Sequence, residues 1–215
     1  MFQRIVGRCF AAISLSFALV TVASAATGVK GDPESGSKMV ATCAACHGAD
    51  GNSAVPNFPK LAGLGEKYLL KQMKDIRSGL RPVAAMAGQV DNLSDQQLAD
   101  IAAFYDSQER TREMADPDLV DLGRSIYMAG IADRKVAACS GCHSPTGKGN
   151  GPGGFPGLAG QHADYLAAQL KMFRKGYEDD SGRVNDGDSK IMRTTAFELS
   201  DLEIEAVASY ASGLQ

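Results

Sequence analysis

Apolar residues recur at helical spacing in two long segments of the chain. In the first segment, Tyr68, Leu69, Met73 and Ile76 follow i, i+3, i+4 spacing, and a matching segment runs from Tyr165 to Phe173. This period is typical of an amphipathic α-helix with one face against a core. No part of the chain shows the sustained alternation of apolar and polar residues that a half-buried strand would need. The pattern therefore predicts an all-α protein.

Polar residues mark where further helices begin. Asp32-Pro33 and Asp116-Pro117 each combine an N-cap Asp with Pro at the first helical position, which predicts helices that run toward two Cys-x-x-Cys-His sequences. Capping boxes are predicted to open a last helix in each half of the chain, at Ser94 with Gln97 and at Ser200 with Glu203. Gly213 lies where the C-terminal helix is expected to stop.

The two halves of the chain are copies of one module. The segment from Phe58 to Gly63 pairs with the segment from Phe155 to Gly160 at an offset of 97 residues. The same register continues through the middle helices, where Tyr68, Leu69, Gln72, Lys74, Arg77 and Gly79 fall opposite Tyr165, Leu166, Gln169, Lys171, Arg174 and Gly176. A repeat of this length predicts two domains from a duplication, residues 26–108 and 109–215, with the polar stretch 107–115 as linker.

The N-terminal segment has the features of a secretory signal peptide. Arg4 and Arg8 form a basic region, residues 9–22 are almost wholly apolar, and Ala23-Ser24-Ala25 supplies small residues for cleavage after residue 25. The apolar stretch is short for a membrane span, and no later segment approaches 18 uninterrupted apolar residues. We therefore expect a mature periplasmic protein without a transmembrane segment, open to peripheral association with the membrane.

The charge of the mature chain argues against nucleic acid as a partner. Cleavage after residue 25 removes two arginines and no acid, so 20 basic and 25 acidic residues remain, a net charge of −5. Such a balance provides no basic footprint for nucleic acid.

Two Cys-x-x-Cys-His sequences, residues 43–47 and 139–143, carry the chemistry of this chain. The spacing is the attachment signature of c-type haem: the two thiols reach the two vinyl groups of one porphyrin, and the histidine lies beneath the iron. The predicted cofactors are thus two covalent haem c groups, held by Cys43 and Cys46 and by Cys139 and Cys142. A zinc ribbon would not explain a histidine after both pairs. A thioredoxin-like pair would need a βαβ pattern, and none is visible.

A pair of methionines supplies candidates for the second axial ligand of each iron. Met86 lies seven residues before Leu93, and Met192 lies seven residues before Leu199, each just ahead of a capping serine. A lone methionine is more often a core residue, but no other methionine pair shares such a register. We therefore predict axial ligation by His47 and Met86 in the first half and by His143 and Met192 in the second. His162 has no counterpart in the repeat and is expected to be a surface or hydrogen-bonded histidine.

Longer segments of the sequence resemble the dihaem cytochrome c4 family. The resemblance is carried by residues 43–53, 56–63, 68–72 and 185–188, the last leading into Met192. It implies two class I cytochrome c domains packed about a pseudo-twofold axis, with haem propionate edges facing each other. It also implies a proline carbonyl that orients the proximal imidazole, for which Pro56 is the candidate in the first copy, with Gly153 at that place in the second.

The resemblance implies an electron carrier with no catalytic residues. Its donor would be a membrane quinol-oxidising cytochrome complex, and its acceptor a haem-copper oxidase or another periplasmic reductase. Two alternatives remain at the level of sequence: an electron-accepting subunit of a flavin or quinone dehydrogenase, and a dihaem cytochrome c peroxidase. A peroxidase needs an iron with an open or releasable axial position, which the paired methionines argue against.

Overall fold

The computed structural model describes residues 29–215, so the predicted signal peptide lies outside the described residues. Within this range the chain forms short and medium α-helices joined by irregular loops, and its extended pairings are two isolated bridges. The helices are α1 (Pro33–Ser37), α2 (Ala44–His47), α3 (Glu66–Arg77), α4 (Asp95–Asp106), α5 (Val120–Ala129), α6 (Ser140–His143), α7 (Ala163–Glu178), α8 (Ile191–Phe197) and α9 (Asp201–Ser212). The all-α prediction is confirmed.

The two Asp-Pro pairs behave differently. Asp32 is the N-cap of α1, its carboxylate accepts from the Glu34 N–H, and Pro33 is the first helical residue, although the helix is only five residues long. The matching prediction for Asp116-Pro117 is wrong, because α5 begins at Val120. The Asp116 carboxylate accepts from the Asp118 N–H at 2.9 Å, which closes a separate turn ahead of the helix.

Both capping boxes form as predicted. The side chain of Ser94 accepts from the Gln97 N–H while the Gln97 side chain accepts from the Ser94 N–H, and Ser200 and Glu203 repeat the arrangement. The sequence also placed the end of α9 correctly at Gly213.

The repeated arginines fasten the middle helix of each half to the last one. Arg77 donates to the Leu93 carbonyl at 2.7 Å and pairs with Asp95. Arg174 donates to the Leu199 carbonyl at 2.8 Å and pairs with Asp201. Their repetition therefore has a structural reason, since each arginine joins a middle helix to the start of the last helix of its half.

The first helix of each half crosses the last helix at a glycine. α1 packs on α4, and α5 packs on α9. A Cβ atom on Gly36 would lie 2.1 Å from the Asp100 carbonyl oxygen, and one on Gly123 would lie 2.2 Å from the Ala206 carbonyl oxygen. Only glycine permits this backbone approach. The middle helices complete each half, with α3 against α4 and α7 against α8 and α9.

Each half has its own apolar core. The first is built from Val40, Leu64, Leu69, Ile101, Ala102 and Tyr105, and the second from Ile126, Tyr127, Val136, Leu199, Ile204, Val207 and Ala211. The boundaries predicted for the two domains, 26–108 and 109–215, stay a prediction.

The predicted linker is packed along the junction of the two halves. Arg110 donates to the Ala62 carbonyl at 2.6 Å and to the Gly157 and Ala159 carbonyls at 2.9 and 3.0 Å. Burial lowers the pKa of the Arg110 guanidinium to about 10, which still leaves it charged at neutral pH. This single side chain bonds backbone from both halves and fixes how the linker lies between them.

The second capping box is expected to make stability depend on pH. Hydrogen bonds from Arg134 lower the pKa of Glu203 from its ordinary 4.5 to about 2 in the folded chain. The stabilisation is therefore complete above the unfolded pKa and is lost as the pH falls through about 2. Glu203→Gln should flatten the acid limb of thermal unfolding, followed by circular dichroism.

Gln97 provides the control, because it occupies the same place in the first box without a charge. Gln97→Ala should lower stability by a similar amount at every pH. An acid limb that is equally steep in wild type and Glu203→Gln would contradict this account.

Candidate haem sites

A cavity of about 580 Å³ is bounded by α2, α3, α4 and the turn that carries Met86, all of the first half, and on one side by α7 of the second half. Cys43, Cys46, His47 and Met86 all line it. The other lining side chains are largely apolar and include Leu61, Leu64, Leu69, Met73, Val90 and Ile101. The fold thus brings together the four residues that sequence assigned to the first haem.

The second half contains the corresponding cavity, of about 280 Å³. Cys139, His143 and Met192 line it together with Tyr127, Leu170 and Phe173. Cys142 is half-buried on the short helix α6, outside the residues that line this cavity.

The two motif histidines are held in the same way. His47 Nδ1 donates to the Pro59 carbonyl at 2.9 Å, and His143 Nδ1 donates to the Pro156 carbonyl at 2.9 Å. Because a carbonyl only accepts, Nδ1 carries the ring proton and Nε2 is left unprotonated. Phe58 and Phe155, which precede these prolines, meet the imidazoles edge to face.

The expectation that Pro56 and Gly153 supply these carbonyls is wrong. Both residues are exposed in the loops ahead of the Phe-Pro pairs, and the loop reaches its histidine three residues later. The repeat contained the signal, since Pro59 and Pro156 align at the offset of 97 while Pro56 has no proline counterpart.

The protonation of these groups suits a haem site. Burial lowers the pKa of His47 and of His143, although the carbonyl hydrogen bond opposes the change. The imidazoles are therefore neutral at pH 7, as iron ligation requires. Burial raises the pKa of the Cys43 thiol and raises that of Cys139 to about 11. A thioredoxin-like pair needs the opposite shift.

Zinc finds no support in the geometry. The two Cys-x-x-Cys pairs lie in different halves, at separate cavities. Among residues 29–215, no three His, Cys, Asp or Glu side chains cluster as metal ligands. A tetrahedral zinc site would need four such ligands around one ion.

A polar network with twofold symmetry joins the two cavities. Arg81 donates to Gln72, Tyr165 and Gln169, each at 3.0 Å. Arg183 donates to Gln169 at 2.8 Å, to Tyr68 at 3.1 Å and to Gln72 at 2.9 Å. Each arginine thus bonds the tyrosine of the other half and both glutamines. The repeat in the sequence identifies Tyr68 and Tyr165 as a pair. It does not identify Arg81 and Arg183, because these two arginines do not align with each other.

The charges of the network alter the ionisation of its tyrosine. Burial alone would raise the pKa of Tyr68, but the positive charges of Arg183 and Arg81 outweigh burial and lower it. Asn185 extends the network, because it donates to Gln72 at 2.9 Å and to Asp75 at 2.6 Å. The junction therefore carries a concentrated positive charge beside both cavities.

His162 was expected to be either a surface histidine or a hydrogen-bonded one. The second alternative is correct, and the side chain is buried. It is 8% exposed. Its Nε2 lies 2.9 Å from the Ser53 carbonyl oxygen, and its Nδ1 lies 3.1 Å from Glu113 Oε1.

Comparison with known proteins agrees with this geometry. The cytochrome c family model matches residues 33–109 and 120–215. Cytochrome c4 of Pseudomonas aeruginosa is 54% identical over 184 residues, covering 86% of this chain and 89% of that protein. The crystal structure of reduced recombinant cytochrome c4 from Pseudomonas stutzeri superposes with a TM-score of 0.82 at 50% identity, covering 86% of this chain and all of that one.

The chain belongs to the dihaem cytochrome c4 family. It is accordingly an electron carrier with two covalent haem c groups, built from two cytochrome c domains. A more distant relative, the thiosulfate dehydrogenase electron acceptor of Stutzerimonas stutzeri, is 38% identical and covers 87% of this chain and 86% of that protein.

The residues of both cavities fit a haem c. Each cavity combines a neutral histidine and at least one motif cysteine with an apolar wall, which suits a large apolar macrocycle. The buried hydroxyl of Tyr105, which lines the first cavity, has no hydrogen-bond partner among residues 29–215.

A search of the helices within residues 29–215 found none with the length and apolar character needed to span a membrane.

Arg183→Met is expected to destabilise the junction. The substitution removes the donor to the buried Tyr68 hydroxyl, and an unsatisfied buried partner costs about 1–3 kcal/mol. Gln72 and Gln169 keep their hydrogen bonds from Arg81. Denaturant unfolding of the holoprotein measures the change. Lys67→Ala is the control, because it removes an exposed hydrogen bond between the halves, to the Pro152 carbonyl. Equal losses in both variants would contradict a special role for the network.

Proposed function

We propose that this chain is a periplasmic carrier of one electron per haem, with both irons saturated by a histidine and a methionine. His47 and Met86 would ligate the first iron, and His143 and Met192 the second. The observation that carries the proposal is that each predicted pair lines one cavity, although its members lie 39 and 49 residues apart in sequence. Haem supplies a ferric/ferrous couple when bound, and His/Met ligation raises its potential.

The chain's own residues orient the ligands and exclude water. The Pro59 and Pro156 carbonyls fix the protonation of both imidazoles and leave Nε2 for iron. Cys43, Cys46, Cys139 and Cys142 would form the thioether bonds to the porphyrins. The apolar walls keep the surroundings at low dielectric, which limits the reorganisation that a change of charge requires.

The polar network supports exchange of electrons between the two halves. Arg81 lines the first cavity and Arg183 lines both. Guanidinium groups are matched to carboxylates, so these residues would hold haem propionates at the junction. With haem bound, propionates held by Arg81 and Arg183 would turn the two haem edges toward the junction.

The predicted signal peptide supports a periplasmic location. In that compartment the donor would be a membrane quinol-oxidising cytochrome complex, and the acceptor a haem-copper oxidase or another reductase.

A second candidate function is that of an electron-accepting subunit for a dehydrogenase. It is favoured by the relative named as a thiosulfate dehydrogenase electron acceptor. Mixing this protein with a thiosulfate dehydrogenase catalytic subunit and thiosulfate tests this candidate. Reduction within one enzyme turnover would support it, and reduction no faster than that of an unrelated cytochrome would exclude it.

The carrier function is tested with hydrogen peroxide. A peroxidase needs an iron with an open axial position, which His/Met ligation on both irons removes. Fully reduced and half-reduced protein should therefore show no sustained peroxide turnover with a small donor protein, and a terminal oxidase preparation should oxidise the reduced protein rapidly. Turnover at about one per second or faster would make the dihaem peroxidase the better assignment.

The ligand assignment predicts separate effects of two substitutions. Met86→His and Met192→His should each lower the potential of one haem only, because imidazole stabilises ferric iron relative to a thioether. Spectroelectrochemical titration of the holoprotein measures both potentials. Met114→His is the matched control, since Met114 is 90% exposed and should change neither potential. A Met86 or Met192 variant that behaves like this control would remove that methionine from the ligand set.

A further inference from the structure

One side chain of the second half clamps the backbone beside the first histidine. Gln161 is 1% exposed and Lys60 is 2% exposed. The Lys60 N–H donates to Gln161 Oε1 at 2.9 Å, and Gln161 Nε2 donates to the Lys60 carbonyl at 2.8 Å. Gln161 is thereby held against a single residue of the other half by two buried hydrogen bonds.

The clamped N–H belongs to the same peptide group as the carbonyl that binds His47. The Pro59 carbonyl accepts from His47 Nδ1 at 2.9 Å, and the Lys60 N–H is the other end of that peptide. Hydrogen bonds at the two ends of one peptide polarise each other. An acceptor on the N–H places more negative charge on the carbonyl oxygen, which then accepts more strongly from the imidazole.

We propose that Gln161 is a positioning residue that lowers the reduction potential of the first haem from across the junction. A stronger bond at Nδ1 makes the imidazole a better donor at Nε2, and a better donor stabilises ferric iron. The inference rests on the proposed ligation of the first iron by His47.

The hydrogen bonds of Gln161 affect the first haem only. The residue equivalent to Gln161 in the repeat is Leu64, which has no amide, and the residue equivalent to Lys60 is Gly157. The Pro156 carbonyl accepts from His143, but the hydrogen bonds within residues 29–215 include none from the Gly157 N–H. The hydrogen bond from histidine Nδ1 to the proline carbonyl is 2.9 Å long in both halves. The two sites therefore differ at the N–H of the same peptide group, which has a side-chain acceptor in the first half.

Ionisable groups near Gln161 could also influence the potential of the first haem, so the test must keep them unchanged. The Lys60 ammonium lies 2.6 Å from Glu113 Oε1, and the same oxygen lies 3.1 Å from His162 Nδ1. Gln161→Met removes the amide at nearly constant volume and leaves all three of these groups in place. A change in potential in this variant is therefore not caused by a change in formal charge.

The test is redox titration of Gln161→Met holoprotein, with nuclear magnetic resonance of the His47 ring. The potential of the first haem should rise while that of the second is unchanged. In the reduced protein the His47 Nδ1 proton should move upfield and exchange faster with solvent. Lys67→Ala, which loosens the junction elsewhere, should alter neither quantity.

Gln161→Glu keeps an oxygen acceptor for the Lys60 N–H. It should hold the His47 Nδ1 proton at or downfield of its wild-type position, with a first potential no higher than that of wild type. If Gln161→Met fails to fold, Gln161→Leu provides the test, because it introduces the neutral residue found at the equivalent position of the repeat, and it should raise the first potential in the same way.

Three results would overturn the inference. The first is an unchanged first potential in Gln161→Met, and the second is an equal shift of both potentials. The third is an oxidised wild-type protein in which the His47 ring lacks paramagnetic shifts, which would overturn the proposed ligation itself. Paramagnetic shifts with unchanged potentials would overturn only the role of Gln161.

Discussion

The hydrogen bond from a buried imidazole to a proline carbonyl is the interaction on which each half depends. It fixes the ring proton on Nδ1 and leaves Nε2 free, and burial keeps the ring neutral. The loop that brings the carbonyl into place is itself closed by one backbone oxygen. The Gly51 carbonyl accepts from the N–H groups of Leu61 and Ala62, and the Gly147 carbonyl accepts from those of Leu158 and Ala159.

Duplication explains the paired tyrosines and glutamines of the junction, because Tyr68 and Gln72 align with Tyr165 and Gln169, but it does not explain the arginines that they bind. The arginine network repeats its hydrogen bonds in both directions, although Arg81 and Arg183 stand at different places in the two copies. Gln161 breaks the symmetry, because the side chain of Leu64 at the equivalent position cannot form hydrogen bonds with the backbone of the other half. With the proposed His/Met ligation of both irons, this difference at Gln161 would give the two haems different potentials without different ligands.

Much of this architecture could be predicted from local chemistry. Amphipathic periodicity located α3 and α7, capping boxes located the starts of α4 and α9, and cofactor spacing located both cavities. Two errors came from choices that the sequence leaves open. Asp116 could cap either a helix or a turn, and any residue of the loop could offer its carbonyl to His47. Contacts between the halves, such as those of Gln161, join residues about a hundred positions apart and leave no local pattern.

Methionine methyl resonances test the central claim, two haem sites with His/Met ligation, most directly. In the reduced holoprotein a thioether bound to iron lies over the porphyrin, where the ring current shifts its methyl group strongly upfield. With methyl-labelled methionine, we expect two strongly shifted signals, assigned to Met86 and Met192 by substitution. A single shifted signal, or one that belongs to any other methionine, would contradict the account.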